Sequence, residues 1–113
     1  MDEQAKIGRI TIAQEVLETT ARLTTLAVPG VARLVAPRGM RRLLRHDGVV
    51  IDITDDGRAQ IKLYVVTDPD VNMLTIGRQI QAEVTRAIQD MLGIEVESVD
   101  IYIEDVAYPV EKT

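Results

Sequence analysis

The strongest constraint on the fold is a switch of hydrophobic period, from two to helical and back to two, between residues 49 and 106. Val49, Ile51 and Ile53 alternate with Val50, Asp52 and Thr54, and Ala59, Ile61, Leu63 and Val65 alternate with Gln60, Lys62, Tyr64 and Val66. Successive strand side chains point to opposite faces, so each run predicts a strand with one apolar face. Asp55-Asp56-Gly57-Arg58 joins them, and Asp-Gly supplies the positive φ of a hairpin turn. Asp68-Pro69-Asp70 then breaks the strand, and Asn72 stands where a helix cap is needed. Beyond it Met73, Ile76, Ile80, Val84, Ala87 and Met91 recur at steps of three or four, widened by Ile88 and Leu92. Gly93 can take the left-handed conformation that ends helices. The last strand sets Val99, Ile101 and Ile103 against Ser98, Asp100, Tyr102 and Glu104.

The opening third makes a similar phrase. Ile10 and Ile12 end a short strand, and Thr11 with Gln14 has the spacing of a capping box. Val16, Thr20, Leu23 and Ala27 fall on one face, with Leu17 and Ala21 beside them, which predicts a helix over about 13–27. Pro29-Gly30 stops it and Val31 to Val35 reads as a strand. The expected order is therefore β-α-β-β-β-α-β. Burying both helical stripes and the apolar strand faces together calls for an α+β two-layer sandwich, with both helices on one face of a single sheet.

A chain of 113 residues supports one domain and one core, expected over about 8–106, with residues 1–7 and 107–113 as flexible ends. With 46% apolar and 27% charged residues it should fold. Without Phe or Trp, that core must be built from branched aliphatic side chains, which favour a sheet. Absent cysteine, an acidic N-terminal stretch and the lack of any apolar run near the roughly 20 residues a membrane span needs predict a cytoplasmic protein.

Catalytic groups are scarce. One His, one Ser and no Cys leave His46 and Ser98 as the only imidazole and serine hydroxyl, on segments with no reason to meet. Asp55-Asp56 and Asp68-Pro69-Asp70 occupy turn and cap positions, without the spacing of a calcium loop, and the glycines form no phosphate-binding loop. The expectation is a protein that is not an enzyme and needs no cofactor or metal.

Two surface features stand out. Residues 33–45 hold five arginines and no acid, +5 in a chain of net charge −5, so the remainder carries −10. Arg38, Arg41, Arg42 and Arg45, with Met40, Leu43 and Leu44 among them, form a candidate patch for an anionic membrane surface, a protein partner or nucleic acid. The alternative is a solvated loop whose leucines pack inward. A pI near 4.8 and the lack of aromatics between the arginines weigh against nucleic acid. Tyr64 and Tyr102 project from the polar faces of two strands and form a candidate sheet-face interface.

Gly8-Arg9-Ile10-Thr11-Ile12, Pro29-Gly30-Val31, Gly48-Val49, Asn72-Met73 and Val99-Asp100-Ile101-Tyr102-Ile103 occur in the order and spacing of a known pattern. Over about 8–106 the chain resembles the alkaline-shock-like family of bacterial envelope stress response proteins. The resemblance implies a non-enzymatic protein of cell-envelope homeostasis that assembles with itself and reaches the membrane through a separate, membrane-anchored partner. It carries over no catalytic residue. Ala13 departs from the Ser of many relatives, and the arginine-rich loop matches no family motif. A self-associating interaction module at the cytoplasmic face of the membrane is thus the leading expectation, with a nucleic-acid-binding regulator using residues 33–45 as its rival.

Overall fold

A computed structural model describes residues 7–37 and 48–108. Helix α1 spans Gln14–Leu26, followed by strands β1 (Val31–Leu34), β2 (Val49–Ile53) and β3 (Ala59–Thr67), helix α2 (Met73–Leu92) and strand β4 (Val96–Val106). The α+β class and the two layers are as the sequence predicts. Most of the expected flexible ends lies outside the described residues.

Every other strand pairs with β3. Strand β4 runs parallel to it from Ala59↔Val96 to Thr67↔Val106, whereas β1 and β2 are both antiparallel to it. These two share one side of β3: Tyr64 accepts from Val35 N–H at 2.9 Å through its carbonyl and donates to Gly48 O at 2.9 Å. A strand residue directs its N–H and C=O to the same neighbour, so β1 and β2 lie end to end as one interrupted edge strand. The sheet is mixed and three strands wide.

One element differs from expectation. Residues 8–13 form no strand, and the order among the described residues begins with α1. The position beside β3 is already filled by β4, and Ile10 stands 94% exposed while Ile12 alone packs against the core. The capping box is absent too. Ala13 holds the N-cap position without a side-chain bond, and the Gln14 amide donates to Ile51 O at 2.8 Å, tying the helix to β2 instead.

The buried face of α1 is rotated from the predicted one. Leu17, Ala21 and Thr25 are buried, but Val16 is exposed and Leu23 is 59% exposed. Both stripes step by three and four, so spacing alone admits either. Packing selects the one carrying small Ala21 and Thr25, whose hydroxyl donates to Ala21 O at 2.7 Å and is satisfied within its own helix. In α2 the period is cleaner: Ile76, Ile80, Val84 and Ile88, each four apart, are buried, while Met73 and Met91 remain exposed. The caps are as expected, with Asn72 Oδ1 accepting from Thr75 N–H at 2.9 Å and Gly93 left-handed at φ 70°.

The isoleucine row of α2 meets Ala59, Ile61, Leu63 and Val65 of β3, all fully buried, in one cluster. Ile101 and Ile103 are half-buried at its margin. Removing a fully buried isoleucine leaves a cavity as well as losing transfer free energy, so Ile61→Ala should cost about 2–5 kcal/mol in denaturant melts. Leu23→Ala on the exposed face should stay within about 0.5 kcal/mol. Equal costs would restore the predicted face, with Leu23 turned inward.

Candidate functional site

Both helices lie on the face of the sheet that carries Ile61 and Leu63, and the other face is mostly polar. In register across the three strands it reads Asp52, Gln60, Ser98, then Val50, Lys62, Asp100, then Tyr64 and Tyr102. The two tyrosines sit opposite each other on parallel strands, and their rings stack with centroids 4.7 Å apart and planes 12° from parallel. Tyr102 is 40% exposed and Tyr64 half-buried, so the pair presents a rigid apolar surface rimmed by hydroxyls and charges. Beyond it Val66 and Ala36 are buried, so the open part of the face runs from the tyrosines toward Gln60.

The turn acids have local work. Thr54 Oγ1 donates to Asp56 Oδ1 at 2.6 Å and accepts from Arg58 N–H at 3.0 Å, closing the hairpin. Arg58 also lies within 3.5 Å of Glu95, binding the hairpin to the start of β4. Gln60 Nε2 donates to Glu97 Oε2 at 2.8 Å across the same strands. These groups are exposed and contribute little each. Asp70 takes φ 63° at the junction before α2, which fits its role in a turn. Ser98 sits on the open face opposite Gln60, while His46 lies outside the described residues.

Arg38, Arg41, Arg42 and Arg45 also lie outside the described residues. The structure does fix where their segment leaves the sheet and returns, since Val35 and Gly48 both bond the Tyr64 backbone. At Gly48 φ is 82°, and an added Cβ would stand 2.7 Å from Val35 O and 2.8 Å from Tyr64 O. Only glycine fits that junction. Arg33, the one described arginine of the basic stretch, is exposed on β1 opposite Val66. The described residues that flank the basic segment, Val35 and Gly48, therefore both meet the backbone of Tyr64, a relation hidden in the sequence.

Two features of the other edge were missed by reading the sequence. Among the described residues β4 pairs with β3 alone, so its second edge is open. Beside that edge Met73, Leu74, Gly77, Arg78, Gln81, Ile101 and Ile103 line a groove of about 360 Å³. The only signals were Met73 at the margin of its stripe and Gly77 at a helical position where a larger side chain would fill space.

Stacked aromatic pairs contribute about 0.5–1.5 kcal/mol beyond area burial. A double-mutant cycle with Tyr64→Ala and Tyr102→Ala, read in urea melts, should return a coupling in that range. Additive single effects would mean that the rings merely lie side by side.

The chain matches the alkaline shock protein 23 family, described as having a cell envelope-related function, over residues 2–108. Among curated relatives, Spy1535 of Streptococcus pyogenes, an uncharacterized protein, is 29% identical over 110 residues, covering 95% of this chain and 84% of the relative. YqhY of Bacillus subtilis, also uncharacterized, is 25% identical over 113 residues, covering 94% of this chain and 82% of the relative. Among solved structures, a zinc form of the MamM CTD superposes with TM-score 0.53 at 15% identity, over 83% of this chain and 87% of that one. A manganese form gives TM-score 0.53 at 13% identity, over 82% and 99%. These two likenesses concern the fold alone. With the family pattern matched from end to end of the two-layer domain, the chain belongs to the alkaline shock protein 23 family of cell envelope-related proteins.

Proposed function

We propose that this protein is a non-enzymatic interaction module of cell-envelope homeostasis, which associates with copies of itself and with a membrane-anchored protein partner at the cytoplasmic face of the membrane. The observation that carries the reading is the stacked Tyr64–Tyr102 pair on a sheet face that neither helix of the described residues covers. Aromatic residues are enriched in protein interfaces because they bury large area at low entropic cost, and here stacking has already fixed both rings. Lys62 and Asp100, in register beside them, add a charge of each sign, which suits a protein surface better than a lipid or nucleic-acid phosphate array. The family's envelope-related function supports the same setting. No helix among the described residues is long and apolar enough to cross a membrane; attachment through a partner is what the family resemblance implies. The basic stretch 33–45 leaves the sheet beside the tyrosines and would extend the contact surface, with an acidic patch as its complement.

Sedimentation of the purified chain against Tyr102→Asp tests the proposal. The native chain should associate at concentrations below about 1 mM, equivalent to some 4 kcal/mol, and the variant should lose at least tenfold in affinity with its melting temperature little changed. A native chain that stays monomeric throughout, and captures no membrane protein from host lysate, refutes it. Retardation of nucleic acid at physiological salt, falling steeply as salt rises, would favour a regulator acting through residues 33–45 instead.

A further inference from the structure

The open edge of β4 is guarded at both ends and bare in the middle. Gln89 Oε1 accepts from Val96 N–H at 3.3 Å, Gln81 Nε2 donates to Val99 O at 3.0 Å, and Asp105 Oδ1 accepts from Val106 N–H at 2.8 Å. Toward β3, Ala59 N–H donates to Glu95 O and Thr67 O accepts from Ala107 N–H, both at 2.8 Å. Backbone groups alternate sides along a strand, so with Val99 O facing the open edge the N–H and C=O of Ile101 and Ile103 face it as well. Their side chains line the groove against Met73, Leu74 and Gly77. A ready hydrogen-bonding ladder thus borders an unfilled apolar slot, the geometry that accepts an added strand.

The same chain holds a segment with strand propensity and no place in the sheet. Arg9, Ile10 and Thr11 alternate polar and apolar, with β-branched Ile10 and Thr11, but join no strand among the described residues, and Ile7 and Ile10 are 83% and 94% exposed. Ile12 packs on its own core and tethers this segment outside it. Charge selects the pairing. Glu97, Asp100, Glu104 and Asp105 make β4 acidic, so a second β4 laid along the edge would oppose like charges, whereas Arg9 brings a cation to the face that carries Asp100 and Glu104. We propose that β4 of one copy accepts residues 9–11 of a second copy as an added strand, with Ile10 seated in the groove between Leu74 and Ile103. This rests on the self-association proposed above and supplies a contact separate from the tyrosine face.

Two exposed residues make the test clean: Ile10 on the donor and Leu74, 70% exposed, on the acceptor. Ile10→Asp and Leu74→Asp should each fold as the native chain does, by circular dichroism and melting temperature, yet associate at least tenfold more weakly by sedimentation velocity. Mixed in equal amounts they should recover a one-to-one complex, because the Leu74→Asp chain keeps its segment and the Ile10→Asp chain keeps its groove. Native affinity in either variant, or a mixture that stays dissociated, overturns the inference. If both variants associate like the native chain while Tyr102→Asp does not, the sheet-face contact stands and strand addition alone fails; a native chain that never associates removes both.

Discussion

Strand β3 is the element on which everything else is assembled. It bonds β1 and β2 along one side and β4 along the other, so each remaining strand takes its register from it. Its inward residues, Ala59, Ile61, Leu63 and Val65, are fully buried beneath the isoleucine row of α2. Because strand side chains alternate with a period of two, the register that buries Ile61 also presents Lys62 and Tyr64 on the opposite face. Core and candidate interface are the two faces of one strand, and neither can shift without the other.

That coupling explains which parts of the fold were legible in the sequence. Where two independent signals coincided, the reading was accurate. Asn72 and Gly93 bracket a row of buried aliphatic residues four apart, and β3 and β4 each alternate between turn residues. The Tyr64–Tyr102 relation followed from alternation on two strands, although their direct opposition depends on a parallel register that no local pattern encodes. The first helix carried two stripes of equal spacing, and the choice between them was made by the fit of Ala21 and Thr25 to neighbours distant in sequence. The opening strand failed for a related reason: residues 8–12 have strand propensity, but propensity provides no partner, and β4 already occupies the place beside β3. The bare stretch of β4 is bounded by the bonds of Gln81, Gln89 and Asp105 to its outer groups, and the first two reach the strand only in the folded domain.

The domain is unequal in how its edges are treated. Open strand edges invite aggregation, and natural sheets blunt them with charge, bulges or side-chain caps. Here β4 has acidic residues, register shifts near both ends and side-chain bonds to its outer groups, all of which discourage indiscriminate pairing. The opposite edge is interrupted between β1 and β2, which limits any continuous ladder there. Such selective protection fits a module whose contacts are meant to be few and specific.

The interruption itself has a consequence for the scaffold. The segment between Val35 and Gly48 departs from the edge strand and rejoins it at the same residue of β3, held by two backbone bonds to Tyr64. The sheet is therefore indifferent to how long the excursion is, since lengthening a closed loop adds entropy only logarithmically. The strand registers and the aliphatic core are set by residues on either side of that segment. The position works as a socket: the two backbone bonds at Tyr64 close it from the scaffold's side, whatever sequence lies between.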